Sequence, residues 1–264
     1  MRIDGRVVIV TGASSGIGEE TAIRLAQQGG RVWAVARSER ALNDLAARQS
    51  GITPFVADVS DPEGRAALVE AAGEVDILVN NAGVGWGGLV ENMPAESVRQ
   101  LFEVNVLALI DLTQRVLPGM LQRSRGHLVN VASVASWVAT PGLSVYSSTK
   151  FAVQGFSDGL RRELLGRGVA VTTINPGPVA TRFASRGDEN RPTDQIGDDR
   201  MPGVPASTVA DEIVRAVQFD GLPPYDVVPV PRSLEGVRLA SLPGASTMMD
   251  AAAMLARPFL PRPS

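Results

Sequence analysis

Short apolar runs alternate with longer amphipathic stretches almost to the end of the chain. The runs at 7–10, 32–36, 53–56, 77–79, 128–131, 169–174 and 226–230 are mostly continuous in β-branched and apolar residues. Such runs suit strands buried on both faces of a parallel sheet, rather than strands with one wet face. Between them, apolar positions recur at helical spacing over 16–28, 39–48, 63–72, 95–121, 145–165 and 207–218. Asp61-Pro62 marks one helix start, pairing a capping carboxylate with a proline that has no N–H to leave unsatisfied. Repeated strand–helix alternation demands right-handed crossovers. The pattern therefore predicts an α/β fold, a doubly wound sheet of seven strands with helices on both faces.

Two regions break the rhythm. Residues 182–205 are polar and rich in Gly, Pro, Asp and Arg, the composition of a mobile loop able to close over a substrate. Residues 231–264 hold prolines around Met248, Met249, Ala252 and Leu255, which are spaced like one helix face. This C-terminal extension is expected to pack on the protein or on a neighbouring subunit. At 264 residues and 44% hydrophobic, the whole of 1–264 fits one domain.

The remaining composition narrows the chemistry. A net charge of -3 without any basic block argues against a nucleic-acid partner. The N-terminus runs straight into the first apolar run without a signal pattern, and no uninterrupted apolar run approaches a membrane span. The expectation is a cytoplasmic protein. Absence of cysteine removes disulfides, thiolate nucleophiles and cysteine-ligated zinc, and no metal site is expected. The single histidine, His127, opens an apolar run and reads as a strand entrance. Acid/base work falls to carboxylates, hydroxyls or lysine.

Lysine occurs once. Of 25 basic residues the other 24 are arginines, and Lys150 stands four places after Tyr146, one of two tyrosines. Positions i and i+4 share a helix face, so a phenol and an ammonium project side by side. A neighbouring cation favours the ionised phenol and brings proton exchange with a carbonyl or alcohol toward neutral pH.

The first apolar run leads directly into Thr11-Gly12-Ala13-Ser14-Ser15-Gly16-Ile17-Gly18 and then a helix. Glycines at such a junction let the backbone approach a pyrophosphate, and a helix N-terminus offers free N–H groups to it. The spacing is G-x-x-x-G-x-G rather than G-x-G-x-x-G. The second run ends in Ala36, Arg37 and Ser38 with no carboxylate. An acidic residue at that point would bind ribose hydroxyls, whereas arginine accommodates a 2′-phosphate, so NADP is preferred over NAD. Asp58 and Val59 fall beside the adenine, and Asn80-Asn81-Ala82-Gly83 beneath the adenosine ribose and pyrophosphate.

Together these stretches resemble the short-chain dehydrogenase/reductase family. The glycine turn, Asn80–Gly83, Asn105, Ser133, the Tyr146–Lys150 pair and Asn175-Pro176-Gly177 match its motifs in order over roughly 3–230. The resemblance implies a Rossmann-type sheet of order 3-2-1-4-5-6-7. It makes Tyr146 the general acid/base, with Lys150 on the nicotinamide ribose and lowering the tyrosine pKa. Ser133 would hold the substrate oxygen, and Asn105 would anchor a water in a proton relay from Lys150. Pro176, Gly177, Val179 and Thr181 would contact the nicotinamide. The family's subunit helices fall at 95–121 and 145–165, implying a homodimer or homotetramer.

The pocket walls would be 84–88, 134–138 and the loop beyond Phe183, with Trp86 and Trp137 as the bulky groups. The first two hold no arginine or lysine, which favours an apolar ketone, aldehyde or secondary alcohol; Arg182, Arg186 and Arg191 in the loop leave room for another class. Two other readings compete. One is a non-catalytic NADP-binding sensor or scaffold, against which the intact Asn105, Ser133, Tyr146 and Lys150 argue. The other is an epimerase or dehydratase of the extended branch, which needs a substrate domain that about 30 residues after the last strand do not supply.

Overall fold

The computed structural model describes residues 1–180, 203–219 and 227–231. Seven strands, β1 (Val7–Thr11), β2 (Arg31–Ala36), β3 (Ile52–Val56), β4 (Ile77–Asn80), β5 (Gly126–Val131), β6 (Val169–Pro176) and β7 (Val227–Val230), form one sheet. They pair in parallel in the order β3-β2-β1-β4-β5-β6-β7. Each predicted apolar run is therefore a strand, and most extend a residue or two beyond it. The helices are α1 (Gly16–Gln27), α2 (Glu39–Arg48), α3 (Pro62–Ala72), α4 (Ala95–Phe102), α5 (Ala108–Gln122), α6 (Ser144–Glu163) and α7 (Ala206–Gln218).

Successive strand side chains point to opposite faces, so a doubly buried strand feeds two cores at once. Val8 and Val10 of β1 pack with Ala22 and Leu25 of α1, Leu42 and Leu45 of α2, and Val209 and Ile213 of α7. Val7 and Ile9 pack on the other side with Leu68 of α3, Leu112 and Val116 of α5, and Leu160 of α6. This explains the continuous apolar runs.

Two departures from the sequence pattern matter for function. The helix expected over 95–121 is broken by a π turn, Glu103–Leu107, between α4 and α5. Such turns insert one extra residue into the i→i−4 ladder and re-aim a side chain, here Asn105. By length and composition alone, 95–122 would suffice to cross a membrane. In this fold its apolar face, including Leu101, Val106, Leu112 and Met120, is buried in the protein core. Second, a polar chain crosses the interior that no apolar pattern announces. Asn80 donates to Asn130 Oδ1 (3.0 Å), its register partner on β5, and Asn130 donates to Ser157 Oγ of α6 (2.9 Å). The expected strand start at Asp226 and the extension beyond Pro231 lie outside the described residues.

His127 sits at the start of β5, 4% exposed, with Nε2 2.9 Å from Thr172 Oγ1 on β6. Burial pushes its pKa from 6.5 down to about 4. A depressed native pKa means that the unfolded chain binds the extra proton between these values. The contribution is complete above pH 6.5 and is lost as pH falls through about 4. We predict that the unfolding free energy drops by about 3 kcal/mol from this group across that window. Denaturant titrations at pH 7 and pH 4.5 on wild type and His127→Gln check it; an equal acid loss in both proteins contradicts it.

Candidate active site

The site candidates collect at the carboxyl ends of the central strands, where the ladder stops and backbone groups need new partners. At the end of β1, Thr11 Oγ1 accepts from the N–H groups of both Asn81 and Ala82 (3.0 Å each) and donates to Val79 O (3.3 Å). Asn81 Nδ2 donates to Thr11 O (2.8 Å). The glycine turn is thereby tied to the segment after β4. Gly12 and Gly16 have φ of 68° and 60°, the left-handed region. A Cβ on Gly12 would stand 2.9 Å from Ala82 Cα, and one on Gly18 would collide with the Gly12 carbonyl and the Asn81 amide. Two of the three glycines are thus demanded by packing within the chain. Ser15 caps α1 without a side-chain capping bond, leaving its hydroxyl and the first-turn N–H groups uncommitted by the cap.

At the end of β2, Arg37 is exposed and its guanidinium lies 3.7 Å from Asp58 Oδ2. Burial works against the Asp58 carboxylate. Bonds from Ser60 N (2.9 Å) and Oγ (2.7 Å), with Arg37, nevertheless hold its pKa below the usual value. Ser38 is occupied as the α2 cap, accepting from Ala41 N (3.4 Å). Val59 is buried, and its carbonyl accepts from Arg65 (2.6 Å), which also pairs with Asp111 (2.5 Å) and Glu103 (3.4 Å). Arg65 escaped the sequence reading. Its signal was there: an arginine on the buried stripe of α3 with Leu68 and Ala72.

At the other end, α6 carries Tyr146 and Lys150 on one face, with Lys150 Nζ 5.7 Å from the phenol ring centroid. The phenol hydrogen-bonds with Ser133. Ser133 caps the short turn Val134–Ser136. Its Oγ accepts from Ala135 N (3.1 Å) and lies 3.4 Å from Pro176 O. Lys150, 5% exposed, donates to Val131 O (3.0 Å). Asn105 is 2% exposed: Oδ1 accepts from Val84 N (2.8 Å), and Nδ2 donates to Val84 O (3.0 Å) and Thr149 Oγ1 (3.1 Å). It clamps the segment after β4 onto α6.

The electrostatics differ from expectation. Burial pushes Tyr146 up to about 12, against a smaller lowering by the Ser133 bond, and burial pushes Lys150 down to about 8. The ammonium faces a β5 carbonyl and the ring plane, so desolvation outweighs the depression expected from the pair.

Gly83 follows Ala82 as the chain leaves this end. Gly177 N donates to Val230 O (2.8 Å). Val179 bridges to Val204, through Ala180 N to Val204 O (3.1 Å) and Val204 N to Pro178 O (3.0 Å). Thr181, Arg182, Arg186 and Arg191 lie outside the described residues. Of the two tryptophans expected at the pocket, Trp137 is buried at 7% exposure and Trp86 is half-buried. Gly88 N donates to Gly142 O (2.7 Å), tying the segment after β4 to the turn that precedes α6.

The family model described as short chain dehydrogenase matches residues 6–192. The chain belongs to the short-chain dehydrogenase/reductase family. It is 36% identical over 197 residues to an oxidoreductase of Staphylococcus saprophyticus, covering 71% of this chain and 84% of that one. It is 34% identical over 229 residues to the 3-oxoacyl-acyl-carrier-protein reductase FabG of Vibrio cholerae, covering 83% and 91%. A family member from Burkholderia phymatum in complex with NAD superposes with a TM-score of 0.81 at 28% identity, covering 90% and 94%. A Sphingobium yanoikuyae member in complex with NADPH gives 0.76 at 30%, covering 98% of each chain. The glycine turn, with its left-handed glycines and free helix N-terminus, fits the dinucleotide that such relatives hold.

Gly18→Ala is expected to cost about 1–3 kcal/mol of stability by forcing the turn off Asn81, and to weaken NADPH binding in fluorescence titrations. Unchanged stability and affinity would mean that the turn has slack.

Proposed function

We propose that this protein is an NADP(H)-dependent oxidoreductase for an apolar ketone or aldehyde and its secondary alcohol. The observation that carries the reading is the Tyr146–Ser133 hydrogen bond beside the buried Lys150 on one face of α6. Bound nicotinamide supplies or accepts the hydride. The chain's own work is at the substrate oxygen. Ser133 holds that oxygen, and Tyr146 gives it a proton in reduction or removes one in oxidation. A phenol raised to about 12 is in its acid form at neutral pH, as reduction requires. Lys150 holds the ribose hydroxyls and supplies positive charge beside the phenol. Asn105 fixes the α6 side of the site through Thr149.

NADP is favoured by Arg37 at the end of β2, where no carboxylate competes for a 2′-phosphate on that strand. Gly12, Ser14, Ser15, Gly16, Ile17 and Gly18 would hold the pyrophosphate, with Asp58, Val59, Asn81, Ala82 and Gly83 around the adenosine. Leu107 and Phe151, 50% and 45% exposed on the π turn and α6, are in keeping with a homodimer or homotetramer.

Tyr146→Phe should lower turnover of cyclic ketones and aldehydes by about 100- to 10,000-fold, the scale of acid–base catalysis, while leaving NADPH binding nearly unchanged. Following the loss of reduced-nicotinamide absorbance with NADPH and then NADH as donor checks both roles, NADPH being the better donor. A Phe variant of near-normal rate removes Tyr146 from the mechanism, and NADH preference removes Arg37 from cofactor selection.

A further inference from the structure

Asn175 is the penultimate residue of β6, immediately before the strand's last residue, Pro176, and is fully buried at 0% exposure. Its Nδ2 lies within hydrogen-bond reach of three acceptors on two other elements. These are Ser133 O (3.1 Å), Ser136 Oγ (2.7 Å) and Gln154 Oε1 (3.1 Å). Ser136 Oγ itself donates to Ser133 O (2.6 Å), so the serine carbonyl receives two bonds from the same cluster. The amide orientation follows from chemistry: Ser133 O can only accept, so the nitrogen must face it. Asn175 Oδ1 is buried without a hydrogen-bond partner among the described residues. A buried carbonyl oxygen left unpaired is unfavourable, so the nitrogen contacts are retained despite that cost. Gln154 comes from α6, one turn beyond Lys150. One side chain therefore ties the Ser133 turn to β6 and to the helix that carries Tyr146.

We propose that Asn175 is a positioning residue for Ser133, holding its backbone so that the hydroxyl meets the substrate oxygen and the Tyr146 phenol together. The inference rests on the reading of Ser133 given above. Asn175 is fully buried and would act through the serine rather than on substrate or cofactor directly. Because misplacement of a reacting group by about 1 Å can cost a hundredfold in rate, loss of this clamp should be large in kcat and small in cofactor affinity.

A double-mutant cycle tests it, with ketone reduction by NADPH as the rate and NADPH fluorescence as the binding readout. Asn175→Ala should lower kcat on the order of 10- to 100-fold with the NADPH Kd unchanged within about twofold. In an S133A background the same change should have almost no further effect, because residues acting as a unit are not additive. Ser136→Ala, which removes one strand of the clamp, gives the same cycle with a smaller first step should Asn175→Ala fold poorly. If S133A is slow and N175A or S136A slows it further by its full factor, the positioning role is overturned while the proposed activity stands. If S133A is as fast as wild type, Ser133 loses its role and the inference falls with it.

Discussion

Parallel strands that stop at their carboxyl ends leave backbone N–H and C=O groups without ladder partners, in a place too buried for water to serve them all. In this protein asparagine and lysine side chains fill that need. Asn81 bonds the carbonyls of Thr11 and Gly12 at the end of β1, Asn105 holds both polar groups of Val84 beyond β4, Lys150 donates to the last residue of β5, and Asn175 bonds the carbonyl of Ser133. The groups that satisfy the strand ends are thus the groups of the proposed site, and in that reading chemistry and folding share the same hydrogen bonds.

Burial does more than position. Desolvation disfavours the charged form of either group. It keeps Tyr146 protonated, with a pKa raised to about 12, and it lowers Lys150 to about 8. Desolvation is the largest cause of both shifts, and for the lysine the only one resolved. Arg65 plays a comparable part at the far end, where its buried guanidinium ties Val59 to α5 and the π turn. That network connects Val59, beyond β3, to the π turn that carries Asn105.

Strand positions were legible in the sequence because doubly buried strands are continuously apolar, and the Tyr146–Lys150 pair because lysine is otherwise absent. The glycine turn was legible as a turn, yet the packing of Gly12 and Gly18 against Asn81 and Ala82 depends on residues some 70 positions away. The π turn was invisible for a similar reason. Residues 103–107, Glu-Val-Asn-Val-Leu, contain no glycine or proline to mark a break, and Asn105 there reaches Val84 and Thr149, partners distant in sequence. The sign of the net shift on Tyr146 was also out of reach, since adjacency of a cation is a local property and burial is not. Arg65 was read past because an arginine in an amphipathic helix ordinarily faces water.

The central claim is that a compact ammonium at Lys150, on the helix face of Tyr146, is required for proton transfer at the substrate oxygen. Lys150→Arg keeps the charge but replaces the point donor to Val131 O with a larger planar fork. Its single-turnover rate of apolar ketone reduction, measured with saturating NADPH on folded protein, decides the matter. The account predicts a fall of at least about 100-fold, the lower end of what one acid–base group contributes. A rate within a few-fold of wild type would contradict it.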